Sequence, residues 1–298
     1  MEAAAELAEP KQLTVGGKLA AYYELTKPRI AFLLVLTSAT GFYLGSTGGF
    51  DGVLFANAMI SIALLAFGVA TLNQYLERNI DPLMERTAIR PLPTQRLAPV
   101  EALVFGILLC VAAELYLFIG VNTLTAVLGL VVIVGYVFLY TPLKTRTSAS
   151  TAIGAIPGAM PPLMGWTAAA NDITLGAWAL FVMQFLWQFP HFLAIAWMYR
   201  EQYAKAGILM LPVVEPSGRI TARQIVLFTV MLVPVSLAPF FLGFAGVVYL
   251  IAAILLGIIF LSASISAAKS KTNEKARRLL YASIIYLPLL FIVLVLDH

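Results

Sequence analysis

Apolar runs separated by short polar stretches account for most of the chain. A helix needs about 20 apolar residues to cross about 30 Å of hydrocarbon. On that measure nine membrane helices are predicted, over 30–45, 53–72, 100–119, 124–140, 152–169, 175–197, 225–244, 247–267 and 279–296. The fifth carries Gly154, Pro157, Gly158, Pro161, Pro162 and Gly165. It is expected to be kinked or broken, which a membrane tolerates where protein or a cavity covers the freed backbone. Close packing of small residues is the alternative use of such a stretch. The fold class expected is all-α, a polytopic membrane protein.

Charge sorts onto one side of this pattern. Lys and Arg fall in the N-terminal arm and in the stretches after the second, fourth, sixth and eighth runs, which together hold all 19 of them. The opposite loops hold little beyond Asp51, Asn171 and Asp172. Basic loops stay in the cytoplasm. The N-terminus is therefore expected inside and Asp297 and His298 outside.

Composition agrees: 61% of residues are hydrophobic and 11% charged, against about a quarter charged in soluble domains. The net charge of +4 follows from the one-sided loops. With no basic run interleaved with aromatics, nucleic acid is excluded as a partner and membrane lipid is the surrounding medium. The single Cys110, inside an apolar run, offers neither a disulfide framework nor a multi-cysteine metal site. Glu2, Glu6 and Glu9 near the N-terminus argue against an Arg-rich import peptide. A bacterial or archaeal cytoplasmic membrane is the expected location. Residues 1–29 are read as a cytoplasmic arm and 30–298 as a single transmembrane domain.

One polar stretch, 73–93, concentrates ionisable groups. Asn73, Glu77 and Asp81 are spaced four and four, which lines their oxygens along one face if the helix continues to Asp81, where Pro82 stops it. Arg86, Thr87 and Arg90 follow directly. Oxygen ligands beside guanidinium groups suit a polyphosphate held between a hard cation and basic side chains. Magnesium, bound by one or two carboxylates plus phosphate oxygens, is the expected metal. A second mixed-charge loop, 198–219, carries Arg200, Glu201, Gln202 and Lys205 on the same side. Arg86, Arg90, Lys144, Arg200 and Lys205 are candidate diphosphate contacts, although Lys144 and Arg146 also serve as a topology signal. A lipid-linked diphosphate would leave an allylic carbocation, for which Tyr136, Tyr140, Trp166, Trp187 and Phe192 offer ring faces. His191 lies inside an apolar span beside Pro190 and is either a site residue or a buried imidazole bonded to a neighbouring carbonyl. Glu114 is read as interfacial.

The 73–93 stretch resembles the first Asp-rich motif of the UbiA-type intramembrane prenyltransferases. Met84-Glu85-Arg86-Thr87, then Arg90-Pro91-Leu92, is the form that motif takes in the heme-farnesylating branch of the family. Further matches are Leu25-Thr26-Lys27-Pro28-Arg29, Tyr140-Thr141-Pro142-Leu143-Lys144, the stretch 158–166, Trp187-Gln188-Phe189-Pro190-His191-Phe192, and the stretch 206–212.

The resemblance implies nine helices around a central cavity with active-site loops on the cytoplasmic side. It also implies magnesium-dependent transfer of the farnesyl group of farnesyl diphosphate to a vinyl group of heme B, giving heme O. A heme A synthase or a terminal-oxidase assembly are candidate partners. By position, Asn73, Glu77, Asp81 and Glu201 become the catalytic metal ligands, and His191, Trp187, Tyr140 and Tyr136 the heme and prenyl pocket. Three positions depart from the pattern: Glu77 stands where Asp is usual, and Gln74 and Gln202 stand where acids are common. Prenylation of an aromatic quinone precursor such as 4-hydroxybenzoate is the alternative within the family. A transporter or heme-handling scaffold is the alternative outside it, but transport places ionisable groups near the bilayer midplane, and these acids lie at a rim.

Overall fold

A computed structural model describes residues 14–298. Glu2, Glu6, Glu9 and Lys11, on which the reading of the N-terminus rests, lie outside the described residues. Among the described residues the regular elements are all helical: α1 (Val15–Leu25), α2 (Pro28–Gly45), α3 (Gly52–Glu77), α4 (Pro99–Gly120), α5 (Thr123–Ile133), α6 (Ser150–Ala170), α7 (Leu175–Met198), α8 (Arg200–Lys205), α9 (Leu211–Val214), α10 (Arg219–Val235), α11 (Ala238–Phe241), α12 (Val247–Ser270) and α13 (Asn273–Leu296). Eight of the described spans are long and apolar enough to cross a membrane, counting α5 through to Leu143 and α10 through to Phe241. The ninth expected span, α6, is as long at 21 residues, but its alanines, glycines and prolines make it less apolar. Large apolar side chains such as Phe32, Leu108, Phe138, Ile258 and Ile259 face outward. Such surfaces on helices of this length mark an integral membrane protein.

Helix α6 sits at the centre, between α2, α5 and α7. It is continuous, neither broken nor interrupted at its prolines. Pro162 has no N–H for the carbonyl of Gly158 one turn earlier, which would leave that carbonyl orphaned. Gln184 of α7 donates its Nε2 to the Gly158 oxygen at 2.8 Å, and Gln188 donates to the Ala155 oxygen at 3.0 Å. A neighbouring helix thus supplies what the proline removes. Gln184→Leu should cost about 1–3 kcal/mol, the penalty of one unsatisfied buried carbonyl, read as a lower unfolding midpoint in detergent. An unchanged midpoint would mean the carbonyl is satisfied another way.

The small residues of α6 also set its distance from α2. A Cβ at Gly41 would lie 2.0 Å from the Pro162 oxygen, and one at Gly165 would lie 1.8 Å from the Ser38 oxygen. The two backbones therefore touch, the arrangement that glycines permit between membrane helices. This crossing fixes α2, whose N-terminus reaches the site described next.

Two further elements differ from expectation at their ends. Helix α13 starts at Asn273, ahead of 279, because the Thr272 hydroxyl accepts the Lys275 N–H at 3.3 Å and caps a charged first turn. Helix α1 lies in the arm, yet its Ala21 and Leu25 pack against Leu92, Leu97 and Ala102.

Candidate active site

Asn73 and Glu77 lie on the last turn of α3 and are buried. The helix ends at Glu77 rather than running on to Asp81, which instead opens a 3₁₀ turn, Asp81–Leu83. The shared helical face expected for the three residues is therefore lost, and a folded loop takes its place. Met84 N–H bonds the Asp81 carbonyl at 3.2 Å, Thr87 N–H the Met84 carbonyl at 3.0 Å, and Arg90 N–H the Thr87 carbonyl at 3.0 Å. The Thr87 hydroxyl donates to the Asp81 carbonyl at 2.8 Å, so Thr87 shapes the loop and is not free for a phosphate. These turns carry Arg90 back over Asp81. Its Nη1 lies 2.7 and 2.8 Å from the two carboxylate oxygens and 3.6 Å from Glu77 Oε2. Asp81 is 0% exposed.

Two lysines close the cluster from other helices. Lys144 donates its Nζ to Glu77 Oε1 at 2.6 Å, its ammonium 4.4 Å from the centroid of the Tyr140 ring. It follows a π-helical stretch, Val134–Tyr140, that continues α5. At the end of that stretch the Thr141 hydroxyl donates to the Tyr136 carbonyl at 2.8 Å and accepts Asn73 Nδ2 at 3.2 Å. Lys27 donates to Asn73 Oδ1 at 2.9 Å. It precedes Pro28 at the start of α2 and holds a left-handed backbone, φ 48°, a conformation unusual for a side chain of this size.

Lys27, Lys144 and Arg90 thus face Glu77 and Asp81, three cations against two carboxylates. Burial, with Arg90 and Lys144 nearby, pushes the Lys27 ammonium down to about 7 against the pull of Glu77. Lys144 also pays for burial, but the Glu77 carboxylate overrides this and holds its pKa above the ordinary lysine range. Burial raises the Asp81 carboxyl, opposed by Arg90. The surplus positive charge favours a polyanion. Among the described residues no three His, Cys, Asp or Glu side chains converge as a preformed metal site. The hard oxygens of Asn73, Glu77 and Asp81 are nevertheless the donor set that magnesium shares with phosphate groups.

The second loop packs on the first through its apolar residues. Met84 clusters with Tyr203, Ile208 and Met210, and Leu209 N–H bonds the Lys144 carbonyl at 2.7 Å. Arg86 donates to the Tyr203 hydroxyl at 3.2 Å and lies over the Tyr199 ring at 4.9 Å. The charged residues of this loop point elsewhere. The Glu201 side chain is 85% exposed, 3.8 Å from Arg200, and Arg200 bonds the Trp197 carbonyl and Asn273 Oδ1. Lys205 is exposed. The structure therefore groups Asn73, Glu77, Asp81, Arg90 and Lys144, turns Arg86 to the tyrosines of the second loop, and leaves Arg200, Glu201 and Lys205 outside the cluster. Gln74 turns the other way and donates to the Leu25 carbonyl at 2.9 Å, so its departure from an acid serves the packing of α1.

Lys27 also lines the head of a largely apolar cavity of about 800 Å³ between α2, α3, α6, α7 and α13. Tyr136, Tyr140, Trp187, His191 and Phe192 lie in its wall. Trp166 does not; it packs at the far end against Gly45, Gly176 and Phe244. Sequence reasoning missed Lys27 and Thr141 as members of the site. Each stands in a polar stretch singled out above, Lys27 directly before a helix-starting proline, and that position was the available signal.

A model of the UbiA prenyltransferase family matches residues 34–293. A protoheme IX farnesyltransferase of Solibacter usitatus (strain Ellin6076) is 47% identical over 286 residues, covering 93% of this chain and 98% of that one. One of Salinibacter ruber (strain DSM 13855 / M31) is 45% identical over 276 residues, covering 93% and 98%. Among solved structures, a digeranylgeranylglyceryl phosphate synthase superimposes with a TM-score of 0.80 at 18% identity, covering 94% and 98% of the two chains. A UbiA homolog from Archaeoglobus fulgidus bound to GPP and Mg2+ superimposes with a TM-score of 0.69 at 17% identity, covering 92% and 99%. At that identity the two structures speak for the fold.

Proposed function

Because the chain belongs to the UbiA prenyltransferase family, we propose that it transfers the farnesyl group of farnesyl diphosphate to a vinyl group of heme B, giving heme O and diphosphate. The observation that carries this reading is a cation-rich polar cluster at the head of a large apolar cavity whose wall includes His191 and Trp187. Relatives 40–47% identical to the chain are named for this reaction. The one-sided distribution of Lys and Arg supports a bacterial cytoplasmic membrane with the cluster on the cytoplasmic rim.

Lys27, Lys144, Arg90 and Arg86 hold the diphosphate and neutralise the charge that builds on it as the allylic C–O bond breaks. Asn73, Glu77 and Asp81 would hold Mg2+, which when bound supplies further neutralisation of the leaving oxygens. The farnesyl chain lies in the cavity. Tyr136 and Tyr140, whose rings meet edge to face at 4.9 Å, present aromatic surface to the allylic cation. The vinyl carbon bonds to the farnesyl carbon that lost diphosphate, and the cation left beside the porphyrin takes hydroxide from water, releasing one proton. Lys205, exposed beside the cluster's covering loop, suits first contact with an anionic substrate, while Arg200 and Glu201 lie outside the diphosphate site.

Purified protein given heme B, farnesyl diphosphate and magnesium should yield heme O by mass. No heme product, with prenylated 4-hydroxybenzoate formed instead, would overturn the heme assignment.

Lys27 makes diphosphate binding depend on pH. With its pKa near 7 in the free protein, Lys27 loses its charge as pH rises through neutrality, while bound diphosphate stabilises the charged form. Binding should therefore take up a proton above pH 7, and affinity should weaken by up to about tenfold per pH unit toward pH 9. Lys27→Met should bind more weakly at pH 7 and flatten this dependence. A titration series in which wild type and variant share one pH slope would remove Lys27 from the site.

A further inference from the structure

His191 and Ser283 sit together in the cavity wall, and their hydrogen bonds determine which imidazole nitrogen is free. His191 Nδ1 lies 2.8 Å from Ser283 Oγ. That hydroxyl also lies 2.6 Å from the carbonyl oxygen of Leu280, one turn earlier in α13. A carbonyl only accepts, so the single serine proton goes to Leu280. The serine oxygen is left to accept, and Nδ1 must be the protonated nitrogen that donates to it. Neutral imidazole carries one N–H, so Nε2 keeps its lone pair. The ring is also held in orientation: Trp187 stacks on it with centroids 4.7 Å apart and planes 22° apart, and Trp187 Nε1 donates to the Ser283 carbonyl at 2.8 Å. Ser283 is fully buried, while His191 lines the cavity.

We propose that Ser283 is a positioning residue that locks His191 in the Nδ1-protonated tautomer, so that Nε2 serves as the ligand for the iron of the porphyrin substrate. The inference rests on the heme reading above and deepens it. A histidine that ligates a metal through one nitrogen normally donates its other N–H to an oxygen, which fixes the tautomer and raises ligand basicity. Here the serine hydroxyl, oriented by Leu280, is that oxygen. Trp187, tied to the same serine, keeps the ring from turning. Seated this way, the porphyrin is held by its iron, and its vinyl edge is brought to a reproducible place relative to the diphosphate cluster.

The test titrates purified protein in lipid nanodiscs with iron protoporphyrin IX, without prenyl donor or magnesium, following the Soret band and the electron paramagnetic resonance spectrum. Metal-free protoporphyrin IX is titrated in parallel. Wild type should show an imidazole-ligated spectrum that His191→Ala abolishes. Ser283→Ala should weaken binding of the iron porphyrin by about tenfold or more and alter its spectrum, leaving metal-free porphyrin binding within about twofold. Ser283→Thr, which keeps the hydroxyl, should restore both spectrum and affinity. The proposal is overturned if His191→Ala keeps the ligated spectrum, or if Ser283→Ala behaves as wild type or weakens both porphyrins equally. Heme O formation by the same wild-type preparation separates the two readings. Product with an unaltered Ser283→Ala spectrum sinks the positioning role alone, and no product with no heme signature sinks the heme assignment itself.

Discussion

Asp81→Asn should reduce farnesyl transfer by about 100-fold or more while the protein remains folded in the membrane. The side chain is 0% exposed and holds Arg90 through both carboxylate oxygens. The amide is nearly isosteric and still offers one acceptor to Arg90, which keeps Glu77 at 3.6 Å as a second partner. The fold therefore loses little. The cluster, in contrast, goes from two carboxylates to one, leaving a hard cation too few anionic oxygens. Removing Arg90 would be a poorer probe, because it strands a buried carboxylate and costs stability as well as chemistry. The measurement is initial rate alongside membrane abundance, with Asp51→Asn, at the far end of α3, as a comparison. Full activity in Asp81→Asn would remove Asp81 from the mechanism.

The second large effect concerns the crossing of α2 and α6. Gly165→Ala places a methyl group 1.8 Å from the Ser38 backbone oxygen, and a backbone atom cannot swing aside as a flexible side chain does. The helices must separate, with a cost of about 3 kcal/mol at the upper end of overpacking. Activity should fall too, because α2 carries Lys27 at its N-terminus and α6 lines the cavity. Gly16→Ala, which meets nothing within 4 Å, should leave both properties near wild type. An unfolding midpoint for Gly165→Ala equal to that of Gly16→Ala would show that the helices do not cross so closely.

Much of this architecture can be read from composition and spacing, because hydrocarbon thickness imposes a length on every span. The 73–93 stretch is legible for the same reason: ionisable residues are rare enough in such a chain that a cluster stands out. What escapes the sequence depends on partners far along the chain. The continuity of α6 past Pro162 draws on Gln184, which is on another helix. The stop of α3 at Glu77 is set by the turns that bring Arg90 back, and Pro82 alone places it too late. The outward turn of Glu201 follows from the packing of Tyr203, Ile208 and Met210 beneath it, and nothing in the spacing of charges reveals it. Lys27 is hidden because its left-handed backbone and its bond to Asn73 are properties of the assembled bundle.

The π-helical stretch from Val134 to Tyr140 acts as a phase shifter. A π turn takes up one residue more than an α turn, and each residue of an α-helix advances the direction of the side chains by about 100°. Everything after Tyr140 is thereby rotated relative to α5, and this rotation brings Lys144 round to Glu77. The membrane-facing pattern of α5 and the site-facing pattern of Tyr140, Thr141 and Lys144 can thus be kept in a single span although no constant period joins them.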